Sequence, residues 1–246
     1  MLFWMIFWKR YFVISLLGIL IGLYNINNTF QFRWKTVETD KPNQPLRLMS
    51  FNVRLFDLYN WSKNRETREK IFRLVKKTSP DIICFQEFYT SAEKNFNNTD
   101  SILKKQKVKY AHVETTTILR NSDKWGIATF SYYPIVNKGK IDFNEATNNL
   151  CIYSDIKVKE DTLRIYNVHM QSIRFAQEDY IFIKNISENK DQEEIQGSKK
   201  ILKRLKIAFI KRAQQVKLVA EHIKHSPYPV IICGDFNDPP SSFTYN

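Results

Sequence analysis

Glycine is scarce in this sequence, with six residues in 246, and proline supplies only eight. A chain so poor in both is no collagen-like repeat, and at 43% hydrophobic residues it is not a disordered one. Cysteine is rarer still. Cys84, Cys151 and Cys233 make an odd number, and two of them sit inside apolar runs, so no disulfide framework follows. A Gly-rich phosphate loop, H-E-x-x-H and G-x-S-x-G are all missing. Their absence argues against nucleotide motors, zinc proteases and serine hydrolases. Internal repeats and low-complexity tracts are missing too. Acidic residues are outnumbered, 25 against 38 Lys and Arg, for a net charge of +13. The excess favours an acidic partner, whether nucleic acid, anionic lipid or a phosphorylated small molecule. Between Lys184 and Lys217 there are ten basic and four acidic residues, a net of +6. That stretch reads either as the solvated face of an amphipathic helix or as a surface that tracks a nucleic-acid backbone or an anionic membrane.

Residues 1–30 are predicted to be a hydrophobic membrane anchor. Tyr11 to Tyr24 is an apolar run of fourteen residues, about 21 Å as a helix. It spans a bilayer core of about 30 Å if Asn25 to Phe30 extend it. Lys9 and Arg10 flank the run, and Trp4, Trp8, Tyr11 and Tyr24 are placed as interfacial aromatics. No A-x-A cleavage pattern follows, which disfavours a signal peptide. The expectation is therefore a membrane location through one N-terminal anchor, with the side of the remaining domain open. Residues 31–45, polar and carrying Pro42 and Pro45, read as a linker. Residues 46–246 make one domain.

Within that domain, strand-like and helical runs alternate, an α and β mixture. Strands are expected at Leu46 to Val53, Asp81 to Phe88, Tyr110 to Thr117, Trp125 to Tyr132, Leu150 to Val158, Thr162 to Met170 and Pro229 to Asp235. The run Ile82-Ile83-Cys84-Phe85 does not alternate, so both its faces should be covered. Four β-rich runs in succession suggest an antiparallel meander. Helices are expected over Arg65 to Lys77 and from Ser198 to just before Pro227. In the second, Leu202, Leu205, Phe209, Ala213, Val216, Ala220 and Ile223 mark one buried stripe.

Polar residues stand at the carboxyl ends of four apolar strands: Asn52, Glu87, His169, and Asp235 with Asn237. Each alone is as well explained as a strand boundary or a turn. Together they form a coherent inventory. Magnesium takes few, hard oxygen ligands from protein and keeps waters and substrate phosphate; Glu87 and the Asn52 amide oxygen supply such a set. Hydrolysis of a phosphate ester needs an activated, oriented water and donors against charge developing on the phosphoryl oxygens. Asp235 can take the water's proton, Asn237 can orient it, and His169 can donate to a phosphoryl oxygen.

Five motifs in order carry a resemblance: Ser-Phe-Asn-Val (50–53), Phe-Gln-Glu (85–87), Trp-Gly-Ile-Ala-Thr-Phe-Ser-Tyr-Tyr-Pro-Ile (125–135), Asn-Val-His (167–169) and Gly-Asp-Phe-Asn-Asp-Pro-Pro (234–240). From Leu46 onward the chain resembles the endonuclease/exonuclease/phosphatase family, which includes pancreatic-type deoxyribonucleases, abasic-site endonucleases, inositol polyphosphate 5-phosphatases and bacterial sphingomyelinases. The resemblance implies a four-layer αββα sandwich of two mixed β-sheets and a Mg²⁺-dependent phosphoesterase site, Mn²⁺ substituting. By position, Asn52 and Glu87 match the metal residues, His169 the phosphate-contacting His, and Asp235 and Asn237 the pair around the attacking water. Arg212, in an Arg-x-x-Gln pattern with Gln215, matches a residue expected to support substrate binding.

Three departures qualify the match. Tyr132 stands where many members carry Lys or Arg, and Arg54 stands where abasic-site nucleases tend to have Asp. The family pattern also continues into further strands and an Asp-His pair, so the resemblance implies a domain incomplete at its carboxyl end. The expected substrate is a nucleic acid, a phospholipid head group or a phosphorylated small molecule. Two other readings stand beside the enzyme: an anchored, catalytically inert binding module, and a basic nucleic-acid-binding protein without chemistry.

Overall fold

The computed structural model describes residues 9–29, 45–92, 96–120, 122–143, 148–173, 175, 178–180, 182 and 194–245. They divide into two compact units: Gln44–Asn237, and Met1–Asn43 with Asp238–Asn246.

In the second unit, Lys9–Thr29 forms α1, 21 residues long. The expected membrane anchor and membrane location are overturned here, because among the described residues no helix is long and apolar enough to cross a membrane. The reason lies in the ends of the run. Extending the fourteen apolar residues Tyr11 to Tyr24 recruits Asn25, Asn27 and Asn28 on one side, and Lys9 and Arg10 open the helix on the other. Residues 1–8 and the expected linker, apart from Pro45, lie outside the described residues.

Among the described residues of the larger unit the main elements follow in this order: β1 (Leu48–Asn52), α2 (Thr67–Thr78), β2 (Ile82–Thr90), α3 (Asn98–Lys105), β3 (Tyr110–Leu119), β4 (Asp123–Ser131), β5 (Ile135–Ile141), β6 (Leu150–Val158), β7 (Asp161–His169), α4 (Glu194–Lys224) and β8 (Val230–Asp235). They make two four-stranded sheets, ordered β1-β2-β4-β3 and β5-β6-β7-β8. Both are mixed: β1 and β2 run parallel, as do β7 and β8, and the remaining pairs are antiparallel.

The core has a layer for each sheet face. Ile71, Phe72 and Val75 of α2 and Ile102 of α3 pack on Ile83, Phe85, Phe88, Ala128 and Phe130 of the first sheet. Between the sheets, Ile82 and Cys84 meet Ile156 and Ile165, and Ile127 meets Leu150 and Ile152. Behind the second sheet, Val219 and Val216 of α4 pack on Cys151, Tyr166 and Val168. The result is a helix–sheet–sheet–helix sandwich. Covered on both faces, β2 is buried along nearly its whole length, as its unalternated sequence requires.

Three features depart from the sequence reading. The buried face of α4 carries Ala208, Arg212, Gln215 and Val219, while the expected core residues Leu202 and Phe209 are 62% and 47% exposed. Of the expected stripe Val216 and Ile223 do pack on the core, and the buried face shifts where Arg212 and Gln215 turn inward to the Gln171 backbone. Strand β5, Ile-Val-Asn-Lys-Gly-Lys-Ile, shows no apolar pattern because it is a sheet edge, where lysines discourage further pairing. Finally, Arg54 to Asp57 form a left-handed turn with φ of 45°, 56°, 55° and 58°. Such a conformation costs L residues about 1–2 kcal/mol each. Phe56 offsets that cost by burying its ring among Phe72, Phe85 and Phe88, at 5.9, 5.9 and 5.6 Å between centroids.

Candidate active site

Both parallel strand pairs end at the same rim, and their ends carry the polar residues. Glu87 owes its direction to a β-bulge. The β2–β4 register shifts between Phe85 and Phe88, and Glu87 adopts φ 48°. An extra residue re-aims the side chain there, so Glu87 leaves the buried run and reaches 35% side-chain exposure. In the second sheet, His169 and Asp235 are register partners at the ends of β7 and β8.

Asn52 joins the two sheets. Its Nδ2 donates to Glu87 Oε1 at 3.0 Å and to Asp235 Oδ2 at 2.8 Å, while its Oδ1 accepts from the Arg54 amide at 3.0 Å. The opposite amide orientation would set an oxygen against two carboxylates and a donor against a donor. The expected presentation of an Asn52 oxygen beside Glu87 is thus replaced by a donor that holds Glu87 and Asp235 together. His169 Nε2 lies 3.8 Å from Glu87 Oε1, with 13% of its side chain exposed.

Asn237 is not on an extended segment. It adopts φ 53°, and its amide folds back to donate to Asp235 Oδ1 at 3.0 Å. Its Nδ2 donates to Met170 O at 2.9 Å. Gly234 makes the close approach of β8 to β7 possible. At φ 147°, a Cβ there would fall 2.0 Å from Val168 O. Asn52, Glu87, His169, Asp235 and Asn237 therefore converge on one rim. Arg212 stands apart: its side chain is 1% exposed and Nη1 donates to Gln171 O at 2.9 Å. Gln215 Oε1 accepts from the Gln171 amide at 3.0 Å. The Arg-x-x-Gln pattern thus clamps the backbone just past His169.

The residues that sequence reasoning left without a role lie one layer below. Gln86 Nε2 donates to Asn167 Oδ1 at 2.6 Å, and Asn167 Nδ2 donates to Ala128 O at 3.0 Å. Asn149, also buried, donates to Met170 O at 2.7 Å. A polar residue inside an unalternated apolar run was the available signal for the first two. Beneath them the Cys84 thiol is held well above its ordinary value by its hydrogen bond to Cys233 and by burial, so it stays neutral.

As a metal centre the rim is sparse. Among the described residues no group of three or more His, Cys, Asp or Glu could hold an ion. One partly exposed hard carboxylate, Glu87, is a donor set that suits a hydrated hard cation completed by substrate oxygens.

Two mixed sheets packed face to face, with acid, amide and imidazole groups at one rim, define a phosphoesterase-type sandwich. Residues 49–191 match the model of the Endonuclease/Exonuclease/phosphatase family. The chain belongs to that family, whose members are hydrolases of phosphate-ester bonds. No curated protein matches the sequence. Among solved structures, the chain is similar to sphingomyelinase C from Streptomyces griseocarneus, with 16% identity and a TM-score of 0.52, covering 82% of this chain and 68% of that one. It is similar to the human nocturnin catalytic domain with bound sulfate at 19% identity and a TM-score of 0.51, covering 84% and 69%. A humanized D. rerio TDP2 is similar at 14% identity and a TM-score of 0.51, covering 78% and 66%. The chain thus spans about two thirds of the length of these structures, and the shared property is the fold.

Proposed function

We propose that this chain is a divalent-metal-dependent phosphoesterase, with Mg²⁺ as the cation and Mn²⁺ able to substitute. The observation that carries the reading is the Asn52 bridge, 3.0 Å to Glu87 and 2.8 Å to Asp235, which assembles a site from both sheets. Glu87 would hold the cation, which supplies positive charge against the phosphoryl oxygens. Asp235 accepts the proton of the attacking water. Its carboxylate is fixed by Asn52 on one oxygen and by the Asn237 amide on the other, so it meets the water without reorganising. Asn237 presents an amide oxygen to the water's second proton, because its Nδ2 is committed to Met170 O. His169 donates from Nε2 to a phosphoryl oxygen, and Arg212 supports it by holding the backbone beyond the strand end at Gln171. The named neighbours include a sphingomyelinase and a protein solved with sulfate, which support phosphate-ester chemistry and leave the substrate class to the rim itself.

Replacing Asp235→Asn keeps the shape and removes the base. Turnover of bis(p-nitrophenyl) phosphate in the presence of Mg²⁺ should fall by at least about a hundredfold. Unchanged turnover would reject the assignment.

A further inference from the structure

The left-handed turn after Asn52 is fixed at both ends. The Arg54 amide donates to Asn52 Oδ1 at 3.0 Å, and Ser62 bonds Asp57 through its backbone, at 3.2 Å, and through its hydroxyl. What this braced loop turns outward is aromatic. Tyr59 and Trp61 are 58% and 46% exposed, with ring centroids 5.0 Å apart. The Arg54 guanidinium, on an exposed residue, lies 4.8 Å from the centre of the Trp61 ring. The core uses Phe56 of this loop and leaves Tyr59 and Trp61 to solvent.

We infer that Arg54, Tyr59 and Trp61 form a stacking platform for an unpaired nucleobase, so that the ester cleaved at the adjoining rim belongs to a single-stranded nucleic-acid segment. The inference depends on the phosphoesterase site proposed for that rim. Three physical points select this occupant. Every nucleobase has a π-face that indole, phenol and guanidinium planes stack against. The loop starts beside the rim, where the Arg54 backbone amide bonds the Asn52 side chain, so a phosphate seated among Asn52, Glu87, His169 and Asp235 brings a neighbouring nucleotide to the start of the loop. The guanidinium already over the Trp61 face repels a quaternary ammonium from that face, which disfavours a choline head group. Arg54 would meanwhile pair with the backbone phosphate next to the stacked base. The net charge of +13 favours the same polyanion.

The test uses the full chain with Asp235→Asn and EDTA, so that binding is read without turnover. The probes are a short fluorescein-labelled oligothymidylate and a base-free abasic oligomer of equal length, followed by anisotropy. The double replacement Tyr59→Ala with Trp61→Ala should weaken oligothymidylate binding roughly tenfold or more and leave abasic binding unaltered. Trp61→Phe should retain most of the affinity. Arg54→Ala should weaken both probes and lower the salt dependence. Far-ultraviolet circular dichroism confirms that each variant is folded. Equal losses for the two probes, or no preference of the parent for the base-bearing probe, would overturn the inference. Platform-dependent binding to phosphatidylcholine vesicles but not to oligothymidylate would overturn it in favour of a lipid. Turnover of bis(p-nitrophenyl) phosphate by the chain with and without Asp235→Asn separates the failures: undiminished turnover removes the catalytic reading, whereas the anisotropy pattern speaks to the platform alone.

Discussion

Gln86 and Asn167 meet across the interface of the two sheets, Nε2 to Oδ1 at 2.6 Å, each next to or near a rim residue of its own strand. Gln86 precedes Glu87, and Asn167 lies two residues before His169. Both side chains are buried, so removing one takes from the other its shortest hydrogen bond, at about 1–3 kcal/mol. Asn167→Ala should lower the urea midpoint accordingly and reduce turnover as well, because the packing of β2 against β7 across the two sheets relaxes. The double variant Gln86→Leu with Asn167→Leu should recover part of the stability without the activity. If the double variant is as unstable as the sum of the single ones, the pair is not coupled.

Gly234 allows Asp235 to stand beside His169. A Cβ there would meet Val168 O at 2.0 Å, with φ at 147°. Backbone strain and steric displacement together put the cost of Gly234→Ala at roughly 2–6 kcal/mol. Thermal denaturation should show it, and turnover should fall even at temperatures where the variant remains folded. A melting temperature equal to that of the parent would refute the close approach.

His112 sits between the sheets at 1% exposure, with Nδ1 3.0 Å from Ser154 Oγ. Burial pushes its imidazole below the ordinary value, against an opposing pull from Glu114 and with help from Lys138. Below about pH 6.5 the unfolded chain therefore binds a proton that the folded chain refuses. The contribution is complete above that pH and is lost as pH falls toward the folded value. Urea unfolding at pH 7.5 and 5.5 should show a smaller loss of stability in His112→Gln than in the parent. Equal losses would place the pH dependence elsewhere.

Much of this arrangement was legible in the residues. Leu150 to Val158 is a strand from end to end, and the carboxyl-terminal polar residues do gather at one rim. What stayed hidden follows from tertiary context. Strand β5 has an edge environment and so no apolar alternation. The buried face of α4 accommodates Arg212 and Gln215 because the backbone at Gln171 needs partners, a demand no helical periodicity reveals. The left-handed turn is invisible locally, since Arg-Leu-Phe-Asp contains no glycine; it is imposed by the pocket that receives Phe56.

Glu87 carries its proposed metal role on a strained backbone. Its φ of 48° is a conformation that glycine adopts without penalty and glutamate adopts at about 1–2 kcal/mol. Glycine's extra freedom in the unfolded chain takes back about 0.4–1 kcal/mol. From these two effects Glu87→Gly should leave stability unchanged or raise it by up to about 1.6 kcal/mol, while turnover disappears with the carboxylate. Glu87→Gln keeps the backbone and the shape but not the charge. It should raise the Mg²⁺ concentration for half-maximal turnover at least about tenfold. Urea denaturation and a metal titration read the two effects separately. A Glu87→Gly variant that is both less stable and fully active would mean that the bulge serves packing, not the rim.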